Sequence, residues 1–305
     1  MGSLRNREKI HNPVLVREVL DFFAPLKNAR IIDATVGTGG HTLALIKEGA
    51  EVLGIEADGQ MLEVAARRLE DACPTPNQNG WGSFKLVKGN FRNIDIIATE
   101  IRYSDVDGVL FDLGVSNIQL TSPNRGFSFS NPQAELDMRI DPGSQGVRAS
   151  DLLNGLRTDQ LVSLFELTLK SGPAKWLAKG VIKSREQKPI KIVEDFLEVC
   201  KDLRTRSKLN KATLPFLALR MAVNSELANL KEALPEAFSL LKKGGRLSVI
   251  TFHSGEKKIV LDFFHEKKRE EKGKILTDGG ISPTSKEVDE NPRARSAELW
   301  VLVKS

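Results

Sequence analysis

Along the first third of the chain, short unbroken apolar runs alternate with stretches whose apolar residues recur at helical spacing. Ala29 to Ala34 is such a run, followed by a glycine-rich turn and by the helical pattern Thr42-Leu-Ala-Leu-Ile-Lys-Glu48. Glu51-Val-Leu-Gly-Ile-Glu56 is a second apolar strand closing on an acid, and Met61 to Asp71 has apolar positions at helical spacing. Pro74, Pro76, Asn77, Asn79 and Gly80 then predict a loop. Phe84 to Gly89 and Val106 to Asp112 read as a third and a fourth strand. Such a βαβαβ series, with nearly continuous apolar strands, predicts a parallel sheet covered by helices on both faces. Ligands of such sheets sit at the carboxyl ends of the strands. Asp33, Glu56, Asn90-Phe91 and Asp112 all stand at those ends, so four strand ends are expected to converge on one crevice.

Beyond Asp112 the pattern changes. Residues 114–148 are rich in Gly, Ser, Asn, Pro and Arg, with Phe127, Phe129 and Met138 embedded, and form a loop too long for an incidental connection. Short helical patterns follow at Asp151 to Leu156, Asp159 to Thr168, Ala174 to Ser184 and Ile192 to Leu203. A long helix is predicted from about Thr213 to Leu241, interrupted near Pro235 and ended by Gly244-Gly245. Arg246 to Phe252 reads as a strand, Lys257 to Lys268 as a helix and Glu298 to Val303 as a terminal strand. The expected organisation is an α/β domain of residues 1–120 and 213–305, split by an inserted loop and helical domain of residues 121–212.

Composition narrows the picture little. Hydrophobic residues make up 40% and charged residues 28% of 305, an ordinary globular balance. No run approaches the ~18 apolar residues that cross a bilayer, and Met1 to Asn12 lacks the apolar stretch of a signal peptide, so no membrane association and a cytoplasmic location are expected. Cys73 and Cys200 are too few for a disulfide framework. His11, His41, His253 and His265 show no cysteine or carboxylate cluster at zinc-like spacing, and no metal is expected. The formal charge of +5 is compatible with a polyanionic partner, as is the basic stretch Lys201, Arg204, Arg206, Lys208 and Lys211, although such a stretch equally suits a solvated face.

The turn Asp33-Ala-Thr-Val-Gly37-Thr-Gly39-Gly40-His41 allows close backbone approach and positive φ. It lacks the G-x-G-x-x-G spacing that seats a pyrophosphate. Its G-x-G-G form, preceded by Asp33, suits a cofactor with an amino-acid end and no phosphate, or a bare strand-to-helix turn. Glu56, sixteen residues past Gly40, is placed to accept from both ribose hydroxyls of an adenosine or to cap the helix behind it.

Phe111-Asp-Leu-Gly-Val-Ser-Asn-Ile-Gln119, Arg125-Gly-Phe-Ser-Phe129 and Leu136-Asp-Met-Arg139 discriminate further. Together with His11-Asn-Pro-Val-Leu15, Ala218 to Leu227, Gly244-Gly-Arg-Leu247, Phe252-His-Ser254 and Asn291-Pro-Arg-Ala-Arg-Ser296, they resemble the bacterial 16S ribosomal RNA cytosine-N4 methyltransferases from about His11 to Lys304. The resemblance implies a class I, Rossmann-like methyltransferase sheet with a small helical insertion. It also implies S-adenosylmethionine as cofactor, and 16S ribosomal RNA of the small subunit as partner. Carried over position by position, it implies cofactor contacts at Gly39, Gly40, His41, Glu56, Phe91, Asp112 and Gln119. Asp33 joins that set from the strand-end pattern and Gly37 from the glycine-rich turn.

Methyl transfer from a sulfonium is an in-line displacement, which asks the protein mainly to position an acceptor and exclude water. The exocyclic amine of cytosine is a poor nucleophile, so a hydrogen-bond acceptor beside its N–H helps. Asp112 is the first candidate for that role, with Asp137 and His253 behind it. For those two, a loop ion pair with Arg139 and a strand-end cap are the structural alternatives. A target base must leave its stack, and Phe127 and Phe129 are candidates to receive it or else anchors of the long loop. Arg125, Arg139, Arg293 and Arg295 are candidate phosphate contacts, or solvated or locally paired arginines.

Several positions depart from the family pattern. Glu56 replaces an aspartate, Asn117 a serine, and Leu169-Lys-Ser-Gly172 an acidic stretch; Phe216-Leu-Ala-Leu-Arg220 and Phe252-His-Ser-Gly-Glu-Lys-Lys258 are also altered. Two other readings stay open: a methyltransferase acting on DNA or protein, and a non-catalytic RNA-binding or assembly protein on the same fold.

Overall fold

In the computed structural model the described residues are 13–73, 80–204 and 209–305. The loop expected from Pro74 to Asn79, the N-terminal segment through Asn12 with its His11, and Arg206 and Lys208 of the basic stretch lie outside them. In chain order the elements begin with α1 (Val16–Phe23), β1 (Arg30–Asp33), α2 (Gly40–Lys47), β2 (Glu51–Glu56), α3 (Gly59–Ala72), β3 (Ser83–Lys88), α4 (Ile94–Glu100) and β4 (Val106–Asp112). They continue with α5 (Asn117–Thr121), α6 (Ala149–Gly155), α7 (Thr158–Glu166), α8 (Ser171–Gln187), α9 (Val193–Cys200), α10 (Thr213–Val223) and α11 (Glu226–Leu240). The last are β5 (Leu241–Thr251), α12 (Ser254–Arg269), β6 (Gly273–Ile275), α13 (Ser285–Glu290) and β7 (Glu298–Lys304). The chain divides into two compact units, one of Met1–Ser116 with Leu227–Ser305 and one of Asn117–Glu226.

The first unit is built on a seven-stranded sheet in the order β3-β2-β1-β4-β5-β7-β6. Strands β1 to β5 pair in parallel, and β7 runs antiparallel to β5 and β6. This is the parallel α/β sheet, with an antiparallel β7, covered by helices on both faces. The apolar strands read as continuous because alternate side chains feed two different cores. Ile32, Leu53, Val109, Phe111 and Val249 pack on one face with Leu234 and Phe238 of α11 and Phe264 of α12. Ile31, Val52, Leu110 and Ile250 pack on the other with Val19 and Phe23 of α1, Leu45 of α2 and Leu69 of α3. The order reverses between β1 and β4, the crevice position where such sheets take ligands. Among the described residues, no helix is long and apolar enough to cross a membrane.

Two features differ from the expected pattern. The long helix breaks at Ser225, which has φ 51°, and not at Pro235, which lies inside α11. Asn224 stops α10 by turning its amide onto the Arg220 and Met138 carbonyls, at 2.9 and 2.8 Å. Across Pro235 the helix continues because Leu230, Ala233, Leu234, Ala237 and Phe238 are all buried, outweighing the roughly 3 kcal/mol a helical proline costs. The second difference is at Gly244-Gly245, which does not separate helix from strand. Leu241 already pairs with Val106, and the register shifts before Arg246 pairs with Gly108. Elements α1, α4, α5, α13 and β6, each of eight residues or fewer, are not among the elements expected from the pattern.

The second unit holds α5 to α10 and the irregular segment before α6. Helix α10 packs on α6 and α7 and so belongs to this unit. Phe165 stacks on Phe196, and Phe196 meets Phe216, with centroids 6.1 and 5.4 Å apart. The irregular segment is tied down by backbone bonds from Leu136 N–H to the Lys191 carbonyl and from Val193 N–H to the Ala134 carbonyl, both 2.9 Å.

Candidate functional site

Strand β1 delivers Asp33 to the crevice, and the chain then turns through Gly37 at φ 54° and Gly39 at φ 78° into α2. A Cβ on Gly39 would also stand 3.3 Å from the Ala65 Cβ of α3, so this turn needs glycine for both conformation and space. The polar side chains below brace it. The Asp33 carboxylate accepts from Thr35 N–H at 3.2 Å and from the Thr42 hydroxyl at 2.7 Å. The Thr35 hydroxyl accepts from Asp112 N–H at 2.6 Å, which joins the turn after β1 to the end of β4. Glu56, at the end of β2, accepts from Gly37 N–H and from Asp58 N–H, both at 2.8 Å. The cap of α3 is Asp58, whose side chain accepts from Gln60 N–H at 3.0 Å, so Glu56 braces the turns and does not cap that helix; each of its carboxylate oxygens keeps a second lone pair.

His41, in the first turn of α2, is buried against Asp112. Its Nε2 lies 2.9 Å from the Val14 carbonyl, which can only accept, so Nε2 carries the hydrogen. Nδ1 then faces the Asp112 carboxylate, 3.5 Å from Oδ2. Asp112 Oδ1 is buried and has no hydrogen-bond partner among the described residues. A buried acceptor left so is costly unless a ligand supplies the donor. Phe91, at the start of the 3-10 turn after β3, sets its ring edge-on to Phe111 with centroids 5.5 Å apart.

Burial pushes all three carboxyls up: Asp33 and Asp112 to about 6 and Glu56 to about 7. The His41 ring opposes the rise at Asp112, while the charges of Asp33 and Glu256 add to it. The site therefore gathers acids that hold protons near neutrality for want of a positive partner. A ligand bringing cationic charge and hydrogen-bond donors fits it. S-adenosylmethionine has an ammonium, a sulfonium and ribose hydroxyls, and the residues present suit it.

Several expected site residues are engaged elsewhere. Asp137 does not stand as a proton acceptor: it grips Arg139 through two bonds of 2.7 Å, and the guanidinium holds its carboxyl below the usual range. Arg139 also donates to the Gln145 carbonyl at 2.7 Å, so it staples the loop and does not reach for phosphate. Arg125 donates to the Arg139 and Ile140 carbonyls at 2.8 Å and lies over the Phe127 ring, again closing the loop on itself. Phe127 is buried and anchors the segment, while Phe129, partly exposed, packs against Phe216 with ring centroids 5.6 Å apart. His253 caps α12: its Nδ1 accepts from Glu256 N–H at 3.3 Å and its Nε2 lies 3.2 Å from Glu256 Oε1. The Nδ1 lone pair is thereby used in the cap, and Nε2 is buried without a hydrogen-bond partner among the described residues. Gln119 is buried on α5 in the second unit. Arg293 and Arg295 are exposed on the 3-10 turn Pro292–Ser296.

Pattern reading overlooked Glu256, which is buried and takes both Phe252 N–H and His253 N–H, at 2.8 and 3.2 Å, fixing the end of β5. The His253-x-x-Glu256 spacing, a capping box at a strand-to-helix junction, was its available signal.

Residues 8–305 match the family described as the MraW methylase family. The chain is 39% identical over 307 residues to a protein of Methylacidiphilum infernorum named Ribosomal RNA small subunit methyltransferase H, with 96% of this chain and 94% of that protein covered. Proteins of the same name from Persephonella marina and Coprothermobacter proteolyticus are 38% and 35% identical, covering 95% and 96% of this chain and 98% and 96% of theirs.

Proposed function

The chain belongs to the MraW methylase family, and on that footing we propose that it transfers a methyl group from S-adenosylmethionine to the N4 amine of a cytidine in 16S ribosomal RNA of the small subunit, in the cytoplasm. The observation carrying the reading is the unsatisfied Asp112 Oδ1 at the β1/β4 crevice, set among acids that burial has left short of positive charge. The relatives' name, Ribosomal RNA small subunit methyltransferase H, supports the choice of acceptor.

The cofactor contacts we assign in the sheet unit are Asp33, Gly37, Gly39, Gly40, His41, Glu56, Phe91 and Asp112. Bound there, the cofactor supplies a methyl on a cationic sulfur. Glu56 has lone pairs left to accept from ribose hydroxyls. Phe91 offers an aromatic edge beside the adenine side of the crevice. Asp112 Oδ1 accepts an N–H, holding the poor nucleophile in line and easing loss of its proton once the C–N bond has formed. His41, fixed by Val14, stands beside Oδ2, and Oδ1 is the acceptor presented. Substrate recognition we assign to the second unit, together with Arg293 and Arg295 of the first.

The reading is tested by incubating the protein with methyl-labelled cofactor and small ribosomal subunits lacking the modification, then digesting the RNA to nucleosides. Label in N4-methylcytidine is the expected result. Label in another nucleoside, in DNA or in protein would replace the acceptor, and failure to bind the cofactor in calorimetry would favour a non-catalytic assembly role.

A further inference from the structure

Helix α8 of the second unit buries Ala174, Leu177, Ala178 and Val181. The remaining surface is unusual in what it exposes. Lys175, Lys179 and Lys183 recur every four residues and are all exposed, and Trp176 beside the first of them keeps 44% of its surface in solvent. Residues four apart on an α-helix follow one another about 6 Å along the axis and drift by about 40°, which makes a continuous cationic stripe. None of the three lysines has an ion-pair partner among the described residues; of the acids nearby in sequence Asp159 is committed to Arg157, Asp195 to Lys188 and Glu198 to Lys201, while Glu166 at the end of α7 is exposed and pairs with none of the three. Within α8 the sole acid is Glu186, near its end.

Lysines alone fit any polyanion, and an exposed tryptophan alone is common enough. The combination is more selective: a row of cations spaced on the scale of successive phosphates, beside a flat aromatic face. A strand with unpaired bases presents both complements, phosphates for the ammonium groups and a π-face for the indole, whereas a duplex hides its bases in the stack. We infer that the α8 face formed by Lys175, Trp176, Lys179 and Lys183 binds an unpaired segment of the RNA substrate. The inference rests on the proposed RNA substrate and extends it to a defined surface.

The test is binding of a fluorescently labelled, unstructured RNA and of a matched RNA duplex to the full chain, across a series of salt concentrations. Losing three phosphate contacts from a single strand lowers the slope of log K against log salt by about 2, and that is the change expected for the triple variant Lys175→Gln, Lys179→Gln, Lys183→Gln. Trp176→Ala is expected to weaken binding roughly ten-fold with the slope unchanged, Trp176→Phe to keep most of the affinity, and the duplex to compete poorly. Hydrogen exchange around α7, α8 and α10 should stay at wild-type protection in every variant, which shows that the second unit is folded in each. An unchanged slope in the triple variant, or a duplex that competes as well as the single strand, overturns the inference. RNA binding with these signatures but no methylated cytidine would refute the proposed reaction and leave the surface standing.

Discussion

Replacing Glu56 by glutamine sets two opposing effects against each other. Burial raises this carboxyl from 4.5 to about 7, so at pH 8 the folded chain holds an ionised group in a place that disfavours ionisation by about 3 kcal/mol. A raised carboxyl of this kind leaves the wild type most stable at low pH, where it is protonated in the fold, and its stabilising share is lost as pH rises from about 4.5 through about 7. Glutamine removes that titration. It also leaves one of two backbone donors, Gly37 N–H or Asp58 N–H, facing an amide nitrogen, a loss of about 1–3 kcal/mol at any pH. The variant should therefore be less stable than wild type at pH 5 and close to it at pH 8, the gap narrowing by about 3 kcal/mol. Urea denaturation followed by tryptophan emission in a Trp176→Phe background reports the sheet unit, through Trp81 and Trp300, across that range. At pH 8 the same variant should bind S-adenosylmethionine on the order of ten- to a hundred-fold more weakly, from loss of charged acceptors for the ribose. A stability difference that does not change with pH would refute the burial argument, and one that widens toward pH 8 would mean the ionised carboxylate stabilises the turn.

The remaining predictions concern the same unit and its neighbour. Affinity for S-adenosylmethionine should rise from pH 5 to pH 8 as Asp33, Glu56 and Asp112 ionise, with proton release near pH 6.5 seen by calorimetry in two buffers; S-adenosylhomocysteine, lacking the sulfonium charge, should gain less. Asp112→Asn should abolish most methyl transfer while leaving the melting temperature within a few degrees, measured by single-turnover assay beside calorimetry. Gly39→Ala puts a side chain at φ 78° and should cost about 1–2 kcal/mol, seen as a lower melting temperature. Asp137→Asn should destabilise the second unit by about 1–3 kcal/mol, read by hydrogen exchange around α6, with no change in cofactor affinity.

The sheet was legible because its strands are buried on both faces: runs such as Val109 to Phe111 have no other stable use, and the acids ending them stand out against the apolar background. The glycine turn was legible for a similar reason, since Gly37 and Gly39 both adopt positive φ. The loop of the second unit was not. Arg125, Arg139, Phe127 and Phe129 have the composition of a nucleic-acid contact, yet their partners are carbonyls, a carboxylate and another ring a few residues or a whole helix away. Nothing in a linear string separates a cation aimed at phosphate from one folded back on its own loop. The misplaced helix break has the same origin: Pro235 is the stronger local signal, but Asn224 finds tertiary carbonyls and the packing of α11 overrides the proline.

The central claim is that the ends of β1, β2 and β4 hold the methyl donor, and a crystal structure with S-adenosylmethionine bound addresses it most directly. The predicted result is density over Gly37 to Gly40, with ribose hydroxyls on Glu56 and the sulfonium methyl on the Asp112 side of the crevice, Oδ1 left for the acceptor amine. Density in another cavity instead, such as the groove of about 1140 Å³ lined by Leu234, Pro235, Ile259 and Phe263, would contradict it.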